Sequence, residues 1–363
     1  MKAQTYLTEH TFTNSHPFPL EGGSVLPGIR VRYHCSPGSH HNRRVIWICH
    51  ALTANSNPCD WWPTLVGKGK FFDPFREFII CANVIGSCYG STQPDGPDFP
   101  LITIRDMVQA HELLRRELGI EEIHLLIGGS SGGFQAVEWA VSNPSLIKNL
   151  CLIACSARIS PWATALNESQ RMALLADSTF ANGNSSAADG SSTTASSDKA
   201  ADGSSSSKTA NGAGRQGLAA ARSIALLSYR SYEGYCQTQA EACNNVLTAT
   251  RACSYQQYQG EKLANRFCAY SYYVLTRSLD SHNVGRGRSS VEKALSQIAA
   301  RTLCIGIDSD LLFPLSEIDF MARHIPEARK EVITSDFGHD GFLLEYEQIT
   351  SSLCKFLNLE EVQ

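Results

Sequence analysis

Residues Ile123 to Ala140 constrain this chain more than any other stretch. An apolar run enters Gly128-Gly129-Ser130-Ser131-Gly132-Gly133 and leaves it as Phe134-Gln135-Ala136-Val137-Glu138-Trp139-Ala140, whose spacing reads as a helix. Strand, glycine turn and helix follow one another without a linker. Such a junction needs residues without side chains, because the backbone turns sharply and the helix lies close on the strand. The turn also contains Gly-x-Ser-x-Gly, with Ser130 at its centre and at the amino end of the helix. A serine so placed stands clear of the sheet. The helix dipole and the N–H of Ser131 suit a developing oxyanion there. A turn that cradles phosphate has similar glycines. The strand before and the helix after favour a nucleophile.

The rest of the chain repeats this alternation. Val45-Ile46-Trp47-Ile48-Cys49, Phe78-Ile79-Ile80-Cys81, His124-Leu125-Leu126-Ile127, Leu150-Cys151-Leu152-Ile153 and Thr302-Leu303-Cys304-Ile305 are short and continuously apolar. Strands of that kind belong to a parallel sheet buried on both faces. Between them, Ile104, Met107, Val108, His111, Leu114 and Leu118 recur at helical spacing. Thr103 with Asp106 reads as a capping box, and Gly119 stands where a carboxyl-terminal cap belongs. Phe342 to Leu357 reads as a final helix. The pattern predicts an α/β fold with a mostly parallel sheet flanked by helices. Residues 1–158 and 301–363 form its core. Residues 159–300 lack strong strand signals and read as an inserted helical lid. Within it, Asn182 to Ala213 contains no large apolar residue. Such a tract cannot bury enough surface to offset its ordering entropy, so a flexible loop is expected.

Composition excludes several functions. Lys and Arg total 31 against 35 Asp and Glu, so the net charge is −4, without the basic excess of a nucleic-acid binder. No apolar run approaches the roughly 18 residues that span a membrane. Met1 to Pro19 has no basic segment leading into an apolar one, so no secretory signal is read. The 13 cysteines are scattered and none has CxxC spacing. They indicate no metal site, and read as buried, reduced thiols of a cytoplasmic protein.

On a scaffold of this kind, the partners of a nucleophilic serine follow it in the order acid, then histidine. Asp308-Ser309-Asp310 follows the strand ending at Ile307. His339 lies in Ser335-Asp336-Phe337-Gly338-His339-Asp340-Gly341, after an expected strand at Glu331 to Thr334. Both sites are strand carboxyl ends, where such sheets present their chemistry. His339 is the candidate base, and Asp308 or Asp310 the group that orients it. The loop after Val45–Cys49, His50-Ala51-Leu52-Thr53-Ala54, offers the N–H of Leu52 as a second oxyanion donor beside Ser131. His50 precedes the serine, the wrong order for a base, and is read as structural.

These residues resemble one family. His50-Ala51-Leu52-Thr53, Trp61-Trp62, Gly67-Lys68-Gly69-Lys70, Asn83-Val84-Ile85-Gly86-Ser87-Cys88-Tyr89-Gly90-Ser91-Thr92 and Thr103-Ile104-Arg105-Asp106-Met107-Val108 look like the homoserine O-acetyltransferases. So do the Gly128–Gly133 turn, Asp310-Leu311-Leu312-Phe313-Pro314 and Gly338-His339-Asp340-Gly341-Phe342-Leu343. The resemblance runs from about residue 5 to residue 357. It implies an α/β-hydrolase fold with a helical lid through which two copies pair. It selects Asp310 over Asp308 as the catalytic acid. It implies that Arg222 holds the carboxylate and Asp340 the ammonium group of an amino-acid substrate. Both pairings are chemically sound. It departs from the family at Ser131, where Met or Phe is usual, which makes the pocket wall more polar. It departs again at the Asn182–Ala213 tract, which replaces a shorter segment.

The implied reaction is a ping-pong transfer of acetyl from acetyl-CoA to L-homoserine. It gives O-acetyl-L-homoserine for methionine biosynthesis, with no metal and no bound cofactor. The alternatives on the same scaffold are a serine O-acyltransferase, a homoserine O-succinyltransferase and an esterase. A non-catalytic binding module would have been favoured by loss of a triad member. Succinyl transfer is disfavoured because Leu311-Leu312-Phe313 offers no partner for a distal carboxylate.

Overall fold

The computed structural model describes residues 6–181, 212–248 and 250–359. Residues 182–211 of the expected loop lie outside the described residues. Eight strands form the main sheet: β1 (Thr8–Asn14), β2 (Ile29–Cys35), β3 (Val45–Cys49), β4 (Phe78–Ala82), β5 (Ile123–Gly129), β6 (Ile147–Ile153), β7 (Arg301–Ile307) and β8 (Ala328–Ile333). Their spatial order is β1-β2-β4-β3-β5-β6-β7-β8. The pairings β1–β2 and β2–β4 are antiparallel, and all the others are parallel. A separate two-stranded ribbon joins Phe18–Pro19 to Val25–Leu26.

β3 and β4 are apolar throughout because both faces of the sheet are covered there. In β3, Val45, Trp47 and Cys49 enter one core, while Ile46 and Ile48 enter the other. Parallel pairing sets Trp47 beside Ile80 on β4 and Leu126 on β5. Each fully buried aliphatic side chain of this kind contributes about 1.5–3 kcal/mol.

The helices, in chain order, are α1 (Ile104–Glu117), α2 (Ser131–Ser142), α3 (Pro161–Leu175), α4 (Arg215–Tyr229), α5 (Tyr232–Gln239), α6 (Arg251–Ala264), α7 (Ala269–Asp280), α8 (Leu315–His324) and α9 (Tyr346–Leu357), with shorter turns between. The start of α1 carries the expected capping box. Thr103 accepts from the Asp106 N–H, and the Asp106 carboxylate accepts from the Thr103 N–H at 2.8 Å. Gly119 follows the helix with φ +65°. Helices α1, α2 and α8 supply one core and α9 the other.

Among the described residues, the stretch between β6 and β7 is helical, α3 to α7. Its far end is tied to the core by a buried charge. Glu138 on α2, 1% exposed, accepts from Arg105 Nε of α1 at 3.1 Å and from Arg288 Nη2 at 2.6 Å. Removing either arginine would leave that carboxylate less fully compensated.

Four sequence expectations are corrected. β1 and β2 carry no strong apolar run and were not expected. In β2, Ile29, Val31, Tyr33 and Cys35 are buried while Arg30 is exposed and Arg32 and His34 are half-buried. That is the two-residue period of a sheet with one wet face. β1 is a largely exposed threonine-rich edge. β8 starts three residues earlier than expected and stops at Ile333. The last helix is interrupted at Glu345, where φ is −86° and ψ is 50°. There the Glu345 carboxylate accepts from Ser335 Oγ at 2.8 Å and Gln348 Nε2 at 3.1 Å. Finally, Cys236, Cys243 and Cys253 are exposed, whereas the other ten cysteines are buried.

Candidate active site

Ser130 occupies the junction of β5 and α2 with φ 56° and ψ −128°. A non-glycine residue there carries strain of about 1–3 kcal/mol, which the surrounding structure must hold. The clamp is tight. A Cβ on Gly132 would lie 2.1 Å from the Cys49 carbonyl oxygen, and one on Gly128 would lie 2.2 Å from that of Gly132. The Ser130 N–H donates to the Ile153 carbonyl at 3.0 Å, tying the turn to β6.

Three loops at the carboxyl ends of β5, β7 and β8 bring the candidate triad together. His339, in the turn after β8, has Nε2 2.8 Å from Ser130 Oγ and Nδ1 2.7 Å from Asp310 Oδ2. The carboxylate fixes the tautomer: Nδ1–H donates to Asp310, so Nε2 is left to accept the serine proton. Asp310 is itself held, since Oδ1 accepts from the N–H groups of Leu312 at 2.8 Å and Phe313 at 3.0 Å. Asp308 faces elsewhere and accepts from the Ser335 N–H at 3.1 Å. His339 is 2% exposed and packs among Phe313, Phe342 and Tyr229. Burial opposes its charged form, and the Asp310 and Asp340 carboxylates together outweigh burial, so its pKa lies above the ordinary imidazole value. The site is thus built to hold an imidazolium once formed. Asp310→Asn is expected to lower turnover on the order of 10⁴-fold, by analogy with other triads. Asp308→Asn is expected to leave it within threefold, as read from steady-state rates of the two purified variants.

Ser130 and His339 open onto a cavity of about 340 Å³, whose walls include Leu52, Arg222, Tyr229 and Asp340. The N–H groups of Leu52 and Ser131 have no backbone acceptor among the described residues. Ser131 lines a smaller neighbouring space beside this cavity. Arg222, on α4, lies with its guanidinium 5.1 Å from the Tyr229 ring centre. The Asp340 carboxylate stands 3.2 Å from Arg230 Nε. The cavity therefore offers a cation and an anion beside the nucleophile, the pattern that suits a zwitterionic ligand. Among the described residues no group of three or more His, Cys, Asp or Glu could hold a metal ion. No described helix is long and apolar enough to cross a membrane.

His50 is buried between two backbone groups. Its Nδ1–H donates to the Ala51 carbonyl at 2.9 Å and its Nε2 accepts from the Val84 N–H at 3.1 Å. Burial pushes its pKa down to about 4. It is neutral and does not face the relay.

Sequence reasoning missed Tyr229, Arg230 and Arg266. All three lie on or beside the inserted helices, where no strand-end pattern marks them. Arg266 Nη1 donates to the Thr53 carbonyl and to Tyr89 Oη, both at 2.7 Å, closing one side of the cavity. Tyr89 lies in the Asn83–Thr92 block, which offered the one available signal.

The α/β hydrolase fold family profile matches residues 44–346. The homoserine O-acetyltransferase of Cyclobacterium marinum is 40% identical over 361 residues, which span 96% of this chain and 95% of that protein. That of Chlorobaculum tepidum is 38% identical, with 96% of this chain and 94% of the relative covered. A crystal structure of homoserine O-acetyltransferase from Staphylococcus aureus superposes with a TM-score of 0.77 at 28% identity, covering 98% of this chain and 97% of that one.

Proposed function

Because this chain belongs to the homoserine O-acetyltransferase family, within the α/β hydrolase fold, we propose that it moves an acetyl group from acetyl-CoA to the hydroxyl of L-homoserine. The observation that carries this reading is the Ser130–His339–Asp310 relay opening onto a cavity that also presents Arg222 and Asp340.

In the first half-reaction His339 Nε2 takes the Ser130 proton as Oγ attacks the thioester carbonyl. The tetrahedral oxyanion is stabilised by the N–H groups of Leu52 and Ser131, fixed donors that need no reorganisation. The C–S bond then breaks, His339 returns the proton to the departing thiolate, and acetyl-Ser130 remains. In the second half, Arg222 pairs with the carboxylate of L-homoserine and Asp340 with its ammonium group. His339 removes the hydroxyl proton, the alkoxide oxygen attacks acetyl-Ser130, and collapse restores the serine with that same proton. Asp310 stabilises the imidazolium in both halves. No resident cofactor enters the scheme, and acetyl-CoA is a co-substrate. The product, O-acetyl-L-homoserine, supplies methionine biosynthesis.

Exposed Met172, Leu175, Leu227 and Tyr232 on the inserted helices support pairing of two copies through that region. The cysteines, ten of them buried, support a reducing, cytoplasmic setting.

The test is incubation with acetyl-CoA or succinyl-CoA, and with L-homoserine or L-serine, following thiol release and product mass. Acetyl-CoA with L-homoserine is expected to give the fastest turnover and parallel lines in two-substrate plots. Thiol release that is independent of any acceptor would make the protein a hydrolase instead. Arg222→Ala is expected to raise KM for L-homoserine about 100-fold, the loss of one charge-assisted pair of about 2–3 kcal/mol. The acetyl-CoA half-reaction is expected to be unchanged, as read from the single-turnover thiol burst.

A further inference from the structure

Two backbone donors from different parts of the chain must face one oxygen atom, and the β3–β5 pairing, whose last partners are Cys49 and Gly128, stops three residues short of both. Leu52 lies in the loop after β3, and Ser131 opens α2. What joins them is Gln135, one helical turn beyond Ser131. Its side-chain nitrogen donates to the His50 carbonyl and to the Ser131 carbonyl, each at 3.1 Å. Both neighbours are carbonyl oxygens, so the amide nitrogen, not the oxygen, must face them. One NH₂ group thus spans from the loop to the helix.

The bridge acts at short range on each side. His50 is two residues before Leu52, and its own ring fastens the loop to Ala51 and Val84. Gly132 lies so near the same loop that an added Cβ would meet the Cys49 and His50 carbonyl oxygens at 2.1 and 3.2 Å. The glycine lets the loop approach the helix, and Gln135 holds it there.

Stability alone does not account for this residue. Gln135 is 2% exposed, and its side-chain oxygen is buried without a hydrogen-bond partner. Such an unsatisfied acceptor costs about 1–3 kcal/mol, a penalty an apolar residue of the same length avoids. What the amide supplies and methionine cannot is the double donation.

We infer that Gln135 is a positioning residue that sets the spacing of the two oxyanion donors, Leu52 and Ser131, by bridging the carbonyls of His50 and Ser131. The inference rests on the acyl-transfer reading above. It touches no substrate and acts only through the backbone it holds.

The experiment compares the full-length protein with Gln135→Met, which keeps length and removes both donors, and Gln135→Asn, whose shorter amide cannot span the two carbonyls. Thiol release from acetyl-CoA is measured in single turnover and in the steady state. Affinity for methylboronic acid is measured on the same samples, because its tetrahedral adduct on Ser130 sets an anionic oxygen where the oxyanion forms. For the Met variant, kcat is expected to fall 10- to 100-fold at a KM for acetyl-CoA within twofold of the parent. Boronic acid affinity is expected to fall by the same factor. The Asn variant is expected to lie between. A merely structural role would lower the melting temperature without this parallel.

A folded variant whose kcat and boronic acid affinity stay within twofold of the parent would overturn the proposal. So would failure of both variants to fold, which would assign Gln135 to the framework. Absence of thiol release from the parent protein would overturn the acyl-transfer reading itself, a result distinct from active variants.

Discussion

Ser130→Ala is expected to abolish acetyl transfer, with kcat lowered by at least about 10⁵-fold, or roughly 7 kcal/mol in the barrier. The size follows from the chemistry. His339 can accept a proton only from a group that then attacks, and alanine offers none. The oxyanion donors and the ligand-facing charges remain, so binding is expected to survive while the covalent step is lost. Alanine adds no bulk to the turn, and the strained φ of 56° is held by Gly128, Gly132 and the bond to Ile153 rather than by the hydroxyl. The variant is therefore expected to melt within a few degrees of the parent. Mass spectrometry after mixing with acetyl-CoA is expected to find an added acetyl group on the parent's Ser130 peptide and none on the variant. An acetylated variant, or one keeping a hundredth of the activity, would remove Ser130 from the mechanism.

The second large effect is on stability. Three histidines are fully buried away from the relay's chemistry. His50, His111 and His282 have their pKa values pushed down by burial, to about 4, about 3 and about 3. His111 packs against both Trp47 and Trp139, with neither ring nitrogen bonded. His282 stacks on Phe134 with ring centres 4.0 Å apart. Each must be neutral in the folded protein, while the unfolded chain protonates near the ordinary imidazole value of about 6.5. Below that pH the unfolded state binds more protons, so stability falls as pH falls. Stability from these groups is complete above about pH 7 and is lost progressively towards pH 4. At pH 5 each contributes a loss of about 2 kcal/mol, and the three together about 6 kcal/mol. His339 works in the other direction, because its pKa is raised, but it is one group against three. Urea unfolding at pH 7.5 and pH 5.0 measures the difference. The midpoint is expected to drop sharply, and His111→Leu is expected to recover about a third of the loss. Equal midpoints at the two pH values would show that these rings are solvated on a scale the fold does not permit.

Much of this architecture is written locally. The parallel strands announce themselves because two cores demand apolar residues at every position of β3 and β4. The turn at Ser130 is legible because glycine is required where Cβ atoms would meet backbone at about 2 Å. Asp310 and His339 follow from chain order and strand ends. The choice between Asp308 and Asp310 was different. Two aspartates on one short loop are equivalent on paper, and only the direction each carboxylate takes distinguishes them. β1 and β2 escaped notice since a sheet edge with one wet face dilutes its apolar residues with Arg, His and Thr. Arg230 and Arg266 were illegible for another reason. A charge on an inserted helix reads as solvated until the helix is seen lying over the strand ends.

The relay joins residues 209 positions apart in a chain of 363. During synthesis, then, the nucleophile leaves the ribosome long before its base exists. While those 209 positions are being added, the growing polypeptide can thicken its sheet but hold no activated serine. No amino-terminal fragment released early carries the reaction, and the nascent enzyme stays chemically silent until its final turn and helix have emerged.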